Sequence, residues 1–221
     1  MNNNPIFFKQ FEIGPMANFI YLIGDPKTRT AAVVDPAWDV DAIIKLAEQE
    51  GYQISDILIT HGHPDHINGV EDMIAKTGAK VHMHKDEMPW LGEFKETAIK
   101  TDNETIINVG QIPIRCIHTP GHTPGSQCFM VDERLVSGDT LFIGGCGRTD
   151  LPGGDAEKLY ESLYHRLSKV DDEVILCPGH NYADVKQRKM REEKKDNPYL
   201  QFETVQAFIG QRDPFASQED E

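Results

Sequence analysis

The chain has 221 residues, of which 39% are hydrophobic and 26% are charged, a composition that excludes a disordered, fibrous or membrane-spanning protein. Its 22 Lys and Arg against 36 Asp and Glu give a formal net charge of −14, which argues against a general nucleic-acid binder. The sequence shows neither a secretory leader nor a transmembrane stretch, and its four cysteines are widely spaced without a CxxC pair. We therefore expect reduced thiols, no membrane association, a cytoplasmic location and a single domain over residues 1–221.

Short apolar segments alternate along the chain with segments of helical spacing. Strands are predicted for NFIYLIG, TAAVVDP, SDILIT, AKVHMH, IPIRCIH, SQCFMV, RLVSG and DEVILCPGH, each ending near Gly, Pro, Asp or His. Helices are predicted for VDAIIKLAEQEG, INGVEDMIAKTG, AEKLYESLYHRLSKV and ADVKQRKMREEKKDN, and residues 93–105 are predicted to form a surface loop or a helix with a loop. Two groups of strands separated by helices indicate an α/β or α+β protein.

The stretch ILITHGHPDHINGV, residues 57–70, crowds metal-competent side chains at the end of a strand. His61, His63, Asp65 and His66 follow the β-branched run within six positions, on a strand-to-helix loop that Pro64 turns tightly. Loops past the carboxyl ends of strands are where α/β proteins build their sites. The alternatives are a polar surface loop or histidines that cap the helix, but four such side chains in six positions favour a metal site.

Three later segments have the same layout. CIHTPGHTPGS ends a strand at His118 and continues through two Pro-Gly turns around His122. RLVSGDTLF ends a strand at Gly138 and Asp139, and VILCPGHNY ends one at His180. Each segment leaves a metal-competent residue at a strand end, next to a glycine.

The motifs HxHxDH, PGHTPGS, GDTLF and PGHNY, in this order from Thr60 to Tyr182, resemble those of the metallo-β-lactamase superfamily. The resemblance implies an α+β fold, the αββα sandwich, in which two mixed β-sheets lie face to face, helices flank them and a metal site lies along one edge. It also implies a dinuclear site with the ligands His61, His63 and His122 on one metal, Asp65, His66 and His180 on the other, and Asp139 between them. His118, His82, His84 and His165 lie outside this pattern, and we expect them to be structural or surface histidines.

A dinuclear site of this kind predicts hydrolysis by solvent. Two neighbouring cations lower the pKa of a shared water to about 7, so hydroxide is available at neutral pH. Asp65 is then both a ligand and the group that orients the hydroxide, while a metal polarises the substrate carbonyl. A thiol, with a pKa of about 8.5, leaves without a dedicated proton donor, which favours a thioester over a lactam as the substrate.

The segment GDTLFIGGCGRTDLPGGD, residues 138–155, is similar to one shared by glyoxalase II-like hydrolases and persulfide dioxygenases. This resemblance implies a small glutathione-derived thioester as substrate, with Arg148 binding a carboxylate of it and Tyr182 donating a hydrogen bond. The alternative for Arg148 is a structural salt bridge to Asp150 or Asp155, and for Tyr182 it is packing beside the site. About forty residues follow His180, which is too few for the helical C-terminal domain that supplies much of the glutathione site in true glyoxalase II.

The sequence therefore predicts a zinc-dependent thioesterase of the hydroxyacylglutathione hydrolase type with two divalent metal ions, Zn²⁺ being favoured over Fe²⁺. The main alternative is an Fe(II)-dependent glutathione persulfide dioxygenase, in which His61, His122 and Asp139 would form a two-histidine, one-carboxylate face. A β-lactamase is disfavoured because no secretory signal is evident, and a nuclease because the chain is acidic. A metal-free scaffold would be expected to have a damaged ligand set, whereas this set is intact.

Overall fold

The computed structural model describes residues 5–87 and 92–212. Its first strands are β1 (Phe7–Ile13), β2 (Asn18–Asp25), β3 (Thr30–Val34), β4 (Gln53–Leu58), β5 (Lys80–His84) and β6 (Ile99–Thr101). The later strands are β7 (Ile106–Val109), β8 (Ile112–His118), β9 (Gln127–Val131), β10 (Arg134–Gly138), β11 (Leu141–Phe142), β12 (Gly145–Cys146), β13 (Ile175–Pro178) and β14 (Arg188–Lys189). The α-helices are α1 (Val40–Gln49), α2 (Pro64–Ile67), α3 (Val70–Thr77), α4 (Ala156–Glu161), α5 (Met190–Asp196) and α6 (Val205–Arg212).

The strands form two mixed six-stranded sheets and one short hairpin. The first sheet has the order β1-β2-β3-β4-β5-β6, and the second has the order β14-β13-β10-β9-β8-β7. In the first sheet β1, β2 and β3 pair antiparallel, and β3 to β6 pair parallel. In the second sheet β10 pairs parallel with β13, and the other pairings are antiparallel. The hairpin consists of β11 and β12.

Buried apolar side chains form three clusters, one between the two sheets and one on the outer face of each sheet. Phe19, Tyr21 and Leu58 of the first sheet pack against Phe129 and Cys177 of the second, which closes the interior between the sheets. A second cluster joins the outer face of the first sheet to α1 and α3, and a third joins the outer face of the second sheet to α4 and the turns that follow it. Because each strand in the middle of a sheet is covered on both faces, a run such as NFIYLIG is apolar throughout. The predicted αββα sandwich is confirmed.

Several predicted elements differ from the observed ones. The eight predicted strands are present, but six others were not predicted: the edge strands β1, β6, β7 and β14 and the two strands of the hairpin, β11 and β12, which depend on pairing with a single neighbour. The helix predicted over residues 183–197 is wrong in its first half, since Arg188 and Lys189 pair with β13 and the helix begins only at Met190. The helix predicted over 67–78 breaks at Gly69, whose backbone N–H bonds to the Pro36 carbonyl at 3.2 Å.

The segment predicted as one helix over residues 156–170 is helical but not uniform. It begins as α4, widens to a π-turn over Ser162–Arg166 and tightens to a 3₁₀ turn over Leu167–Lys169. The polar stretch 93–105 contains a 3₁₀ turn, Glu93–Glu96, and the strand β6. Among the helices of the described residues, none is long and apolar enough to cross a membrane.

Candidate metal centre

The polar side chains that follow four strands converge at one edge of the two sheets. The loop after β4 carries His61 and His63 and leads into α2, which carries Asp65 and His66. The loops after β8, β10 and β13 carry His122, Asp139 and His180. The ends of these strands meet because β10 and β13 run parallel in the second sheet, which packs face to face on the sheet that holds β4.

Two groups of three side chains have the spacing of metal ligands. One ligand atom from each of His61, His63 and His122 lies within 4.8 Å of the others, and the same holds for Asp65, His66 and His180. In the second group Asp65 Oδ2 lies 3.3 Å from His66 Nε2 and 3.4 Å from His180 Nε2. Ligand atoms bound to one tetrahedral zinc ion at about 2.1 Å are roughly 3.4 Å apart, so the second group fits a single cation.

Asp139 lies between the two groups. Its Oδ2 is 3.9 Å from His61 Nε2, 3.6 Å from His122 Nε2 and 3.3 Å from His180 Nε2. Its Oδ1 is 3.4 Å from His66 Nε2. One carboxylate therefore faces ligand nitrogens from both groups, which is the arrangement of a bridging ligand.

Two glycines let Asp139 reach this position. A Cβ on Gly179 would lie 2.2 Å from Asp139 Oδ1, and a Cβ on Gly147 would lie 1.9 Å from the Asp139 carbonyl oxygen and 3.0 Å from the His122 ring. The distances of 1.9 and 2.2 Å to Asp139 are far inside van der Waals contact, so only glycine fits at these positions. Close packing around Asp139 therefore explains Gly179 in the PGHNY motif and Gly147 in the GCGRTD segment.

The buried atoms of the centre fit divalent metal ions. His61 Nε2, His122 Nε2 and Asp139 Oδ1 are buried and make no hydrogen bond, although unpaired buried polar atoms are costly in a folded protein. The imidazole planes of His61, His63 and His122 meet at 66° to 87°. Because imidazole nitrogens bind metals in the plane of the ring, rings that meet edge to face can direct their lone pairs at a common point.

Asp35, at the end of β3, orients a histidine of each group. Its Oδ2 accepts a hydrogen bond from His66 Nδ1 at 3.0 Å and another from the Thr60 hydroxyl. The Thr60 oxygen in turn lies 3.0 Å from His61 Nδ1 and accepts its proton. With their protons held on Nδ1, His61 and His66 both present Nε2 to the centre, as metal-binding histidines do.

Backbone carbonyls and Asn18 hold the other ligands. His122 Nδ1 lies 2.7 Å from the Arg148 carbonyl, and His180 Nδ1 lies 2.9 Å from the Met16 carbonyl, so each donates its Nδ1 proton and turns Nε2 inward. Asn18 Nδ2 donates to Asp65 Oδ2 at 2.9 Å, and Asn18 Oδ1 accepts from Trp38 Nε1 at 2.9 Å.

The two groups differ in their protonation. Burial lowers the pKa of His61 well below its usual value, and burial with His122 lowers the pKa of His63 to about 4. Burial is outweighed at His180, where hydrogen bonds to Asp139 and Asp65 raise the pKa to about 9. At Asp65 burial raises the pKa, but His180 and His66 outweigh it and hold the pKa well below the usual range. The carboxylates are therefore ionised, and metal binding would displace protons from the second group.

A further group of polar residues does not have ligand geometry. His84, Asp86 and His118 also have potential ligand atoms within 4.8 Å of one another. The rings of His84 and His118, however, stack in parallel at 3.7 Å with an interplanar angle of 14°, so their in-plane lone pairs do not converge. His118 Nε2 donates to the Pro124 carbonyl at 2.9 Å, which is a structural contact.

The remaining histidines also lie outside the centre. His82 Nε2 pairs with Asp56 Oδ1 at 2.8 Å, and His165 is exposed and contacts the Tyr160 ring.

The two residues predicted to bind substrate occupy different surroundings. Tyr182 is 62% exposed and its ring stacks on His180, with centroids 4.7 Å apart and an interplanar angle of 7°. Arg148 forms a two-pronged salt bridge with Asp150, in which Arg148 Nε lies 2.7 Å from Asp150 Oδ1. Asp155, the other partner considered for Arg148, caps α4 and pairs with Lys158.

Asp35 and Asn18 were not among the residues predicted from the sequence. Asp35 had a local signal, because it ends the apolar run TAAVVDP just as Asp139 ends RLVSGD. Asn18 had none, since it is the first residue of a strand and its partner Asp65 is 47 positions away.

Comparison with known proteins gives one family model and close structural neighbours. The model of the metallo-beta-lactamase superfamily matches residues 13–180. The chain is 30% identical to "Probable polyketide biosynthesis zinc-dependent hydrolase PksB" of Bacillus subtilis, over 87% of this chain and 85% of that protein. It is 35% identical to a hydroxyacylglutathione hydrolase of Cereibacter sphaeroides, over 84% of this chain and 71% of that protein. The crystal structure of ETHE1 from Myxococcus xanthus superimposes with a TM-score of 0.87 at 29% identity, covering 95% of this chain and 91% of that one.

Proposed function

The chain belongs to the metallo-β-lactamase superfamily, and we propose that it is a metal-dependent hydrolase that cleaves small thioesters of the hydroxyacylglutathione type. The observation that carries the proposal is the position of Asp139 between two three-residue groups of ligand geometry. The relatives named as a zinc-dependent hydrolase and as a hydroxyacylglutathione hydrolase support the same chemistry. A cytoplasmic location is in keeping with the absence of disulfides among the four cysteines, all of which lie in the described residues.

We assign two divalent cations, Zn²⁺ in the first instance, to this centre. The proposed ligands are His61, His63 and His122 for one ion, Asp65, His66 and His180 for the other, and Asp139 for both. Nitrogen and carboxylate donors of this kind suit zinc, and iron(II) accepts the same donor set. Bound there, the cations would supply Lewis acidity to a substrate carbonyl and make hydroxide available near neutral pH.

The protein side chains orient the reactants around these ions. Asn18 Nδ2 donates to Asp65 Oδ2 at 2.9 Å and so holds the carboxylate beside His66 and His180, where it can accept a hydrogen bond from the attacking water. Asp35 holds the Nδ1 proton of His66 directly and that of His61 through Thr60, so that Nε2 of each ring is the atom that would bind a metal. A thiolate leaves without protonation because the pKa of a thiol is only about 8.5, so the thioester bond suits a centre of this kind.

Two further residues are proposed to bind the substrate. Tyr182 stands on the exposed side of His180, where its hydroxyl can donate to a peptide-like group of the substrate. Arg148 is proposed to bind a substrate carboxylate, which would take the place of the Asp150 carboxylate in its present salt bridge. This exchange is cheap because the Arg148 and Asp150 side chains are 61% and 64% exposed, and an exposed ion pair contributes only about 0–1 kcal/mol.

An iron(II) oxygenase that acts on glutathione persulfide is the second candidate. The observation that favours it is that the Nε2 atoms of His61 and His122 lie 3.9 and 3.6 Å from one oxygen of Asp139. Two histidines and one carboxylate around a single ion are the ligand set of non-haem iron oxygenases.

One paired experiment separates the two candidates. The protein is purified without added metal, its metal content is measured, and hydrolysis of S-lactoylglutathione is assayed beside oxygen uptake with glutathione persulfide. The proposal expects about two zinc ions per chain and thioester hydrolysis that is lost with a chelator and restored by zinc. Iron in the purified protein, with oxygen uptake and no thioesterase activity, would refute it.

A matched pair of histidine variants tests the ligand assignment. His122→Ala is expected to lose metal and thioesterase activity together, because it removes a nitrogen from one group. His165→Ala removes an exposed histidine that lies outside the centre and serves as the control. Unchanged metal content in the His122 variant would remove this residue from the ligand set.

A further inference from the structure

A fully buried carboxylate in α5 is not part of the metal centre. Glu193 has an exposure of 0%, yet its Oε2 accepts hydrogen bonds from the Gly144 backbone N–H and from Asn197 Nδ2, both at 2.9 Å. Its Oε1 accepts from Arg188 Nη1 at 3.2 Å. A buried charge is costly unless it is paired and hydrogen-bonded, and each oxygen of this carboxylate has at least one such partner.

Asn197 completes the contact between α5 and the hairpin of β11 and β12. It is also fully buried, and its Nδ2 lies 3.2 Å from the Phe142 carbonyl and 3.0 Å from the Gly145 carbonyl. Its own Oδ1 accepts from the Tyr199 N–H at 3.0 Å. Glu193 and Asn197 together therefore bind three backbone groups of residues 142–145, which we call the anchored hairpin.

The anchored hairpin forms one wall of the metal centre. The Phe142 ring meets the Tyr182 ring at 65° with centroids 5.4 Å apart, and it meets the His180 ring at 71° and 6.1 Å. Tyr182 in turn lies flat on His180. Phe142 therefore holds Tyr182 in place against a proposed metal ligand, although the Tyr182 side chain is mostly exposed.

We propose that Glu193 and Asn197 are positioning residues, which fix the anchored hairpin so that Phe142 holds Tyr182 over His180 for substrate binding. The inference rests on the proposed function for the role of Tyr182, but the anchoring itself is a property of the fold. No substrate atom is expected to touch Glu193 or Asn197, because both are buried behind the hairpin. Their loss is therefore expected to weaken substrate binding and to leave the chemical step unchanged.

Two isosteric variants test this role, with a control on the same helix. Glu193→Gln removes the charge that faces Arg188, and Asn197→Asp replaces the donor to the two carbonyls by an acceptor. Glu192→Gln also removes a charge from α5, but Glu192 is exposed and a glutamine can still bond to the Lys189 N–H. Each variant is examined for zinc content, for hydrogen exchange of the peptide covering residues 141–147, and for kcat and KM with S-lactoylglutathione.

For Glu193→Gln we expect the backbone amide hydrogens of the hairpin to exchange roughly tenfold faster and the KM to rise by roughly tenfold. A tenfold effect is what the loss of one hydrogen bond to a charged group produces. The zinc content and kcat stay within about twofold of wild type, and Glu192→Gln behaves as wild type. A loss of zinc or of kcat with unchanged KM, or unchanged hairpin exchange in both the Glu193 and Asn197 variants, would overturn the inference.

A double-mutant cycle shows whether the effect passes through Phe142. In a Phe142→Leu background, Glu193→Gln is expected to raise KM by less than about twofold, because the contact that it stabilises is already absent. An equal tenfold rise in both backgrounds would contradict the proposed route. If wild type hydrolyses no thioester, the proposed function fails, and hydrogen exchange of the hairpin then decides whether Glu193 and Asn197 anchor it.

Discussion

Replacement of Asp35 by asparagine tests whether this one buried carboxylate orients a histidine in each of the two ligand groups. Asp35 accepts hydrogen bonds from the Thr60 N–H at 2.7 Å, from the Thr60 hydroxyl and from His66 Nδ1 at 3.0 Å. In Asp35→Asn the side-chain oxygen can keep the Thr60 N–H, but the new amide group then faces the Nδ1 proton of His66. The imidazole is driven to carry its proton on Nε2, the atom that faces Asp139 and His180.

The expected loss follows from the role of hydrogen bonds behind a metal ligand. Removing such a bond costs roughly 10- to 100-fold in metal affinity, or about 1.4–2.7 kcal/mol. The upper part of this range is expected here, because Asp35 also reaches His61 through Thr60. The bound ligand set is otherwise intact, so zinc still binds at high concentration and restores part of the activity.

A zinc titration in competition with a chromophoric chelator measures the effect. Asp56→Asn is the matched control, because Asp56 pairs with His82 Nε2 at 2.8 Å in the same sheet and has no contact with the centre. Circular dichroism checks that both variants are folded. A zinc affinity of Asp35→Asn within about twofold of wild type, or an equal loss in Asp56→Asn, would refute the orienting role of Asp35.

Three further predictions concern a glycine, an arginine and a buried histidine. Gly147→Ala is expected to abolish metal binding, because its Cβ would lie 1.9 Å from the Asp139 carbonyl oxygen. Gly145→Ala is the control and is expected to be tolerated, because its Cβ would lie 3.6 Å from the nearest atom. Metal analysis of the two variants checks this, and retained zinc in Gly147→Ala would contradict it. Arg148→Gln is expected to raise the KM for S-lactoylglutathione by a few-fold, and Asp150→Asn is expected to lower it by a few-fold, because Asp150 competes with the substrate for Arg148. Steady-state kinetics measures both, and no change in either variant would remove Arg148 from the substrate site. Burial, reinforced by His118, lowers the pKa of His84 to about 4, below the value of about 6.5 in an unfolded chain. The stability that neutral His84 contributes is therefore present above about pH 6.5 and is lost as the pH falls toward 4. Urea unfolding at pH 7, 6 and 5 is therefore expected to show a shallower decline for His84→Asn than for wild type, and an identical decline would contradict the assignment.

The αββα fold and the whole of the proposed ligand set were predicted from the resemblance of the sequence motifs to those of the superfamily. Each of the residues His61, His122, Asp139 and His180 directly follows a strand or its turn, so local pattern alone places it at the end of a strand. Local pattern failed where a neighbour decides the structure. Arg188 and Lys189 were predicted to be helical but pair with β13.

The supporting residues of the site required the tertiary structure. Asp35 reaches His66 across 31 positions, and Glu193 reaches Gly144 across 49. Asp35 ends an apolar run, but nothing in that run identifies His66 as its partner. Glu193 has no local signal, because acidic residues in a helix such as MREEKKD are ordinarily solvent-exposed.

The order of residue types along the chain was enough to predict a metal site, because metal ligands must be particular residue types and these follow apolar strands. The folded structure was needed to show which nitrogen of His61, His66, His122 and His180 faces inward and that Glu193 is buried. It also decided that Arg148 is paired with Asp150. Hydrogen bonds act over about 3 Å and depend on direction, whereas sequence patterns record only the order of residue types along the chain.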